Sequence, residues 1–144
     1  MKRKSKIIPK KFLDIFISEL PELHNSKIEL RIDEQNSEKI LSFLKRKDKN
    51  GNLKNKKKFT RILYTALQGK YNRDIYSKEE VSNKAKNVTA MKFKGKENIR
   101  IGCKEIFCDG KKIIMVTEFY KKTQKNSKRE IAIYETIGGY EYEC

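Results

Sequence analysis

Lys92, Lys94, Arg100, Lys122 and Tyr134 are the side chains whose types and spacing could do chemistry, with Lys121 beside Lys122. Four cations and a phenol within about forty residues suit one reaction in particular, the metal-free cleavage of RNA. The substrate's own 2′-hydroxyl is the nucleophile there. The protein need only deprotonate it, stabilise the dianionic transition state and protonate the leaving oxygen. Lysine is a poor base at its usual pKa, but neighbouring cations would lower it. Other hydrolytic chemistries leave fingerprints that this chain lacks: there is no glycine-rich phosphate loop, no histidine pair and no nucleophile elbow. Cys103, Cys108 and Cys144, with the single His24, have no metal-ligand spacing, so neither metal nor cofactor is expected.

The elements that must position these residues lie between Val88 and Glu135. Val88 to Lys94 alternates with period two, placing Met91 and Phe93 on one face and Lys92 and Lys94 on the other. Ile99, Ile101 and Cys103 share one side of the next strand, with Arg100 and Lys104 opposite. Asp109-Gly110 is a two-residue hairpin signal, because such a turn needs positive φ at both positions. Lys112 to Tyr120 continues as a third strand. Ser127-Lys-Arg-Glu130 then reads as a capping box opening a helix through Ile131, Ile133 and Tyr134 to Gly138-Gly139. The expected product is an antiparallel meander, apolar beneath and basic above. That pattern fits an RNA site, and it equally fits the solvated side of any half-buried sheet.

Length and composition set the bounds. The 144 residues make one domain with a modest core. The net charge of +16 points to a polyanionic partner. Of the 35 basic residues 28 are lysine, in a chain also rich in Ile and Asn, so part of the excess is compositional and the arginines are the more selective markers. Three cysteines make a poor disulfide framework, and Cys103 reads as a small buried hydrophobe. No segment has the apolar length of a membrane span and no signal-type run follows the basic start, so a cytoplasmic protein is expected.

Upstream, residues 1–6 read as a frayed basic tail, and 1–26 as an extension whose helix carries Phe12, Leu13, Phe16, Ile17 and Leu20. His24 falls in a surface loop. Ile28 to Ile32 alternates as a strand. Asn36 or Ser37 caps a helix with Ile40, Leu41, Phe43 and Leu44, and a second helix carries Phe59, Ile62, Leu63, Ala66 and Leu67. This pair is expected to lie on the apolar face of the sheet. Between residues 70 and 87 the pattern is weak: Ser77 to Glu80 could cap one helical turn, and Tyr71 and Tyr76 could anchor the loop or stack on bases. Tyr140 to Cys144 could form an edge strand.

A resemblance enters on Met91-Lys-Phe-Lys94, Ile99-Arg-Ile101, Asp109-Gly-Lys-Lys-Ile-Ile114 and Phe119 to Glu130. Together they resemble the C-terminal half of the RelE/HigB-type toxins of bacterial type II toxin–antitoxin systems, in the phage-derived, HigB-like branch. The run Lys-Lys-Thr-Gln-Lys-x-x-Lys-Arg-Glu at 121–130 is its most specific part. The resemblance implies an α+β domain, a small twisted antiparallel sheet with two helices on one face, here with an extra N-terminal helix and a C-terminal helix. It also implies a metal-independent mRNA endoribonuclease acting on the ribosome and held inactive by a helix-turn-helix, HigA-like antitoxin.

Under that resemblance Arg100 matches a strand arginine on the scissile phosphate, and Lys92 and Lys94 match basic positions of which one serves as base. Lys122 matches a residue that stabilises charge or donates a proton, and Tyr134 an aromatic that stacks a base. Lys104, Lys121, Lys125, Lys128 and Arg129 would extend the RNA contact. The chain departs from the pattern in its first helix, its longer 70–87 segment and the absence of a histidine from the matching half. Two other classes fit the same residues: a ParE-like, gyrase-inhibiting relative, and a non-catalytic basic RNA- or ribosome-binding protein.

Overall fold

The computed structural model of the chain describes residues 2–123 and 127–144. The fold is α+β, with four helices and an open sheet of six strands. In chain order these are β1 (Ser5–Ile7), α1 (Lys10–Ile17), β2 (Glu29–Asp33), α2 (Ser37–Leu44), α3 (Lys56–Ala66), β3 (Tyr76–Lys78), β4 (Val88–Phe93), β5 (Ile99–Cys108), β6 (Lys111–Lys121) and α4 (Ser127–Gly138).

The meander forms where the alternation placed it. The β5–β6 turn is made by Asp109 (φ 52°) and Gly110 (φ 77°), both in the left-handed region that a tight hairpin demands. The sheet order is β1-β2-β6-β5-β4-β3. It is mixed rather than antiparallel throughout: β2 runs parallel to β6, with Leu30 opposite Ile114 and Ile32 opposite Val116. The two helices between β2 and β3 make a parallel return possible. Thr117 forms a bulge, since Gly102 pairs with Glu118 while Cys103 pairs with Val116. The extra residue shifts the phase of β6, so Phe119 and Val116 both join the core on the α1–α3 side.

That core holds Phe16 and Ile17 of α1, Ile40, Phe43 and Leu44 of α2, and Phe59, Ile62 and Leu63 of α3, against Met91, Phe93, Ile101 and Ile114 of the sheet. The expected helix pair therefore lies on the expected face, and Cys103 is a buried free thiol within it. The opposite face departs from expectation. It is not an open basic surface but is covered by α4, whose Tyr134 and Ile137 pack on Val88, Ala90 and Tyr120. Gly102 permits the approach: a Cβ there would come within 2.4 Å of the Ile137 Cδ1. Further along the same face, Tyr142 packs on Ile113, Met115 and Cys108.

Several local expectations are corrected. Residues 5–7 are not a frayed tail but edge strand β1, paired antiparallel with β2. Ser77 lies in edge strand β3 instead of capping a helical turn. The tyrosines before it anchor the loop, since Tyr71 and Tyr76 each donate to a Glu105 carboxylate oxygen at 2.6 Å. Asn36 precedes α2 without capping it, its amide donating instead to the Thr117 carbonyl at 2.6 Å. The segment after α4 makes a single bridge, Arg3 with Tyr142, in place of a strand. It is held by buried Asp33, which accepts from Arg3 Nε at 2.6 Å and from the Tyr142 hydroxyl at 2.7 Å.

Cys108 and Cys144 form a disulfide, with Cα atoms 5.5 Å apart. The spacing of three cysteines gave no sign of it, because the fold, not the sequence, brings the end of β5 beside the segment after α4. The expectation of a cytoplasmic protein drew partly on cysteine usage, and that support is removed. With 36 residues between the partners, the chain-entropy contribution is about 4 kcal/mol at most. Cys108→Ser should therefore lower the urea midpoint while leaving the far-ultraviolet spectrum native, because Asp33 still holds Tyr142. Reductant should lower the wild-type midpoint to the variant's value, and a wild type indifferent to reductant would refute the covalent tie.

Candidate nucleic-acid interface

The expected site residues divide into two groups. On the α4 side, Lys92 stands opposite Arg100 across β4–β5, and Arg100 stands opposite Tyr120 across β5–β6. Residues paired directly across strands share a face, so these three line up beneath α4. Arg100 is only 4% exposed, and its guanidinium donates to the Ile99 carbonyl at 3.2 Å. Tyr134 is 2% exposed, with its hydroxyl hydrogen-bonded to that of Tyr120. Both expectations are corrected here: Arg100 does not present its guanidinium on an open face, and the Tyr134 ring cannot stack on a base from where it lies. Burial pushes both phenols above the usual tyrosine pKa, and the charges of Glu79 and Glu130 act in the same direction. They are hydrogen-bond donors at neutral pH, not bases.

Carboxylates answer the cations of this group. The Lys92 ammonium lies 3.1 Å from Glu79 and donates to the Arg73 carbonyl at 2.6 Å. Lys122 lies 3.8 Å from Glu130. Lys94 is exposed at the start of the β4–β5 turn and pairs with Asp74 at 2.7 Å. Each lysine expected to act as a base thus has a carboxylate as its printed ionic neighbour, the reverse of the cation crowding that such a role calls for. One atom is left over: Glu130 Oε2 is buried with no hydrogen-bond partner among the described residues.

The RNA-binding candidates fare unevenly. Lys104 is a structural residue, donating to the carbonyls of Gly138 at 2.9 Å and Tyr140 at 2.7 Å, where it holds the C-terminal end of α4. Desolvation there pushes its ammonium below the usual lysine pKa. Lys121, Lys128 and Arg129 are exposed around the β6–α4 connection. Lys125 lies outside the described residues. His24 sits in a surface turn, its ring within 3.2 Å of the Ile17 carbonyl, far in sequence from any of these groups.

A second concentration of charge was not anticipated. Two adjoining hollows open at the end of the sheet that carries the β4–β5 turn. The larger, about 380 Å³, is lined by Arg46, Lys54, Lys58 and Lys96 with one acid, Glu97. The smaller, about 190 Å³, is lined by Lys58, Arg61, Lys92 and Lys94 with one acid, Asp74. Lys58 belongs to both, so seven cations from α2, α3, β4 and the turns face two carboxylates. Glu97 accepts from Arg46 at 2.8 Å and lies 3.5 Å from Lys54, and the Arg46 guanidinium holds its carboxyl below the usual glutamate pKa. The sequence did carry a signal. Lys56-Lys57-Lys58 opens α3 with no acid in the first turn, where the helix dipole disfavours cations.

Among the described residues, no helix is long and apolar enough to cross a membrane. Comparison of the chain with protein-family models, with curated proteins and with solved structures finds no match.

The two groups respond differently to truncation. Arg100→Ala empties a buried site, and should lower the urea-unfolding free energy by about 2 kcal/mol or more. Lys94→Ala removes an exposed ion pair and should change it by no more than about 1 kcal/mol. Equal, small effects from both would show that the Arg100 side chain is not packed as described.

Proposed function

We propose that this protein binds RNA along the basic end of its sheet, as a non-catalytic binding module. The observation that carries the reading is the convergence of seven cations from four parts of the fold on two adjoining hollows, against only Asp74 and Glu97. Scattered lysines would reflect composition alone. Cations gathered where helix α3 begins, at a cost in helix stability, fit a polyanion that repays the repulsion on binding. Single-stranded RNA suits the shape better than a duplex, since hollows beside aromatic side chains can receive splayed bases. Fluorescence anisotropy with a 12-nucleotide single strand should give an affinity that falls linearly with salt on logarithmic axes. Arg61→Ala, Lys94→Ala and Lys96→Ala combined should weaken binding at least tenfold at low salt and flatten the slope by about 2, near 0.7 per lost contact. An unchanged slope would remove the rim from the interface.

A second reading, the metal-independent mRNA endoribonuclease of a toxin–antitoxin pair, draws on one observation. The unpartnered Glu130 oxygen lies in a cluster with Lys122, Tyr120 and Tyr134, and a desolvated carboxylate can take a proton from a 2′-hydroxyl. Against it stand the burial of Arg100 and of Tyr134. This reading brings ribosome-bound mRNA as substrate and a helix-turn-helix antitoxin as partner. Induced expression with 5′-end mapping of transcripts tests it. The endoribonuclease predicts growth arrest with new cuts that Glu130→Gln abolishes, and the binding module predicts none.

A further inference from the structure

The larger hollow differs from the rest of the rim in having an apolar floor. Phe43, Phe93 and Ile99 form it, and the two rings meet edge to face at 5.0 Å. Its volume, about 380 Å³, lies within the range of sites that enclose a small organic group. A bare phosphate gains nothing from such a floor, whereas a nucleobase does, through its π-face and its apolar edge. The cations above the floor are not equivalent. Arg46 and Lys54 are engaged by Glu97. Lys58, on the ridge between the hollows, makes no hydrogen bond or ion pair among the described residues. Its ammonium rests against Gly95, where an added Cβ would stand 2.8 Å from Nζ. The turn thus carries a glycine at the position where any side chain would displace the Lys58 charge.

We infer that the hollow between α2, α3 and the β4–β5 turn takes one unstacked base of a single-stranded RNA, with Lys58 holding the adjoining phosphate. This rests on the RNA-binding reading and gives it a base pocket. The strand then continues past the ridge into the smaller hollow, where Arg61, Lys92 and Lys94 meet the next phosphate. Base contact here is sequence-tolerant, because the floor offers ring edges and aliphatic carbon instead of a donor–acceptor pattern.

The test uses the full chain and four probes: a 12-nucleotide oligouridylate, the same strand made abasic, uridine 5′-monophosphate and ribose 5-phosphate. Anisotropy should show the abasic strand binding at least tenfold more weakly than the oligouridylate. In NMR titrations uridine 5′-monophosphate should shift the ring protons of Phe43 and Phe93, and ribose 5-phosphate should leave them in place. Lys58→Ala should weaken the oligouridylate at least fivefold, and Lys58→Arg should restore most of the loss. Equal, salt-dependent binding of the two strands would overturn the base pocket and leave the RNA-binding reading standing. Binding of neither strand would overturn both. Uridine 5′-monophosphate binding as tightly as the strand would make the hollow a free-nucleotide site and overturn the inference as stated.

Discussion

The structure depends on α4 lying across the second face of the sheet. Gly102 leaves the space for Ile137, and the Lys104 ammonium holds the far end of the helix by two carbonyls. A sheet covered on both faces can show solvent only its edges and ends. A chain carrying a net charge of +16 must then place that charge around the perimeter. The positive platform that alternation suggests becomes an interior, and the positive surface moves to the end where β4 turns into β5. The same constraint accounts for Arg100. It stands next to Lys92 and Tyr120 as the strand register requires, and the helix above closes it off from anything as large as a phosphodiester.

What was legible in the sequence was local. Met91, Phe93, Ile99 and Ile101 face the core because a period of two is a property of seven consecutive residues, and Asp109-Gly110 makes its turn for an equally short-range reason. The apolar stripes of α2 and α3 likewise identified the face they cover. Pairings between distant segments were not legible. Nothing in Ile28 to Ile32 tells whether its neighbour runs parallel or antiparallel, and nothing in Cys108 points to Cys144. The bulge at Thr117 re-phases β6, so that Val116 and Phe119 share a face that simple alternation denies them. Such features are set by three-dimensional closure and leave no periodic trace.

The candidate site divides along the same line. Lys92, Arg100 and Tyr134 were gathered correctly as neighbours, since strand register and helix position bring them together, but their exposure was not deducible from one strand's alternation. A basic residue on a strand reads as solvent-facing only if no later element covers it. Lys104 makes the point: its sequence context is that of a surface cation, and its ammonium serves as the counter-charge for a helix end. Arg46, Lys58 and Arg61 lie outside the meander, so attention to the meander alone passed over them.

The energetics of the rim separate the two accounts of its charge. A compositional excess of lysine, selected for nothing, should settle where it costs least, away from like charges and from helix N-termini. Lys56, Lys57 and Lys58 occupy the first turn of α3, and the cations of the two hollows outnumber the acids there by seven to two. Both acids are already engaged, Glu97 by Arg46 and Lys54, Asp74 by Lys94. Their carboxyls are held below their usual pKa values by these cations, so they remain ionised as fixed partners that limit the repulsion without abolishing it. Lys58 is the charge left over, and it sits on the ridge between the hollows, against a turn that leaves it room. An anion bound there relieves repulsion that the free protein carries, which is the reason charge at this end of the sheet favours a ligand where the same charge spread over the surface would not.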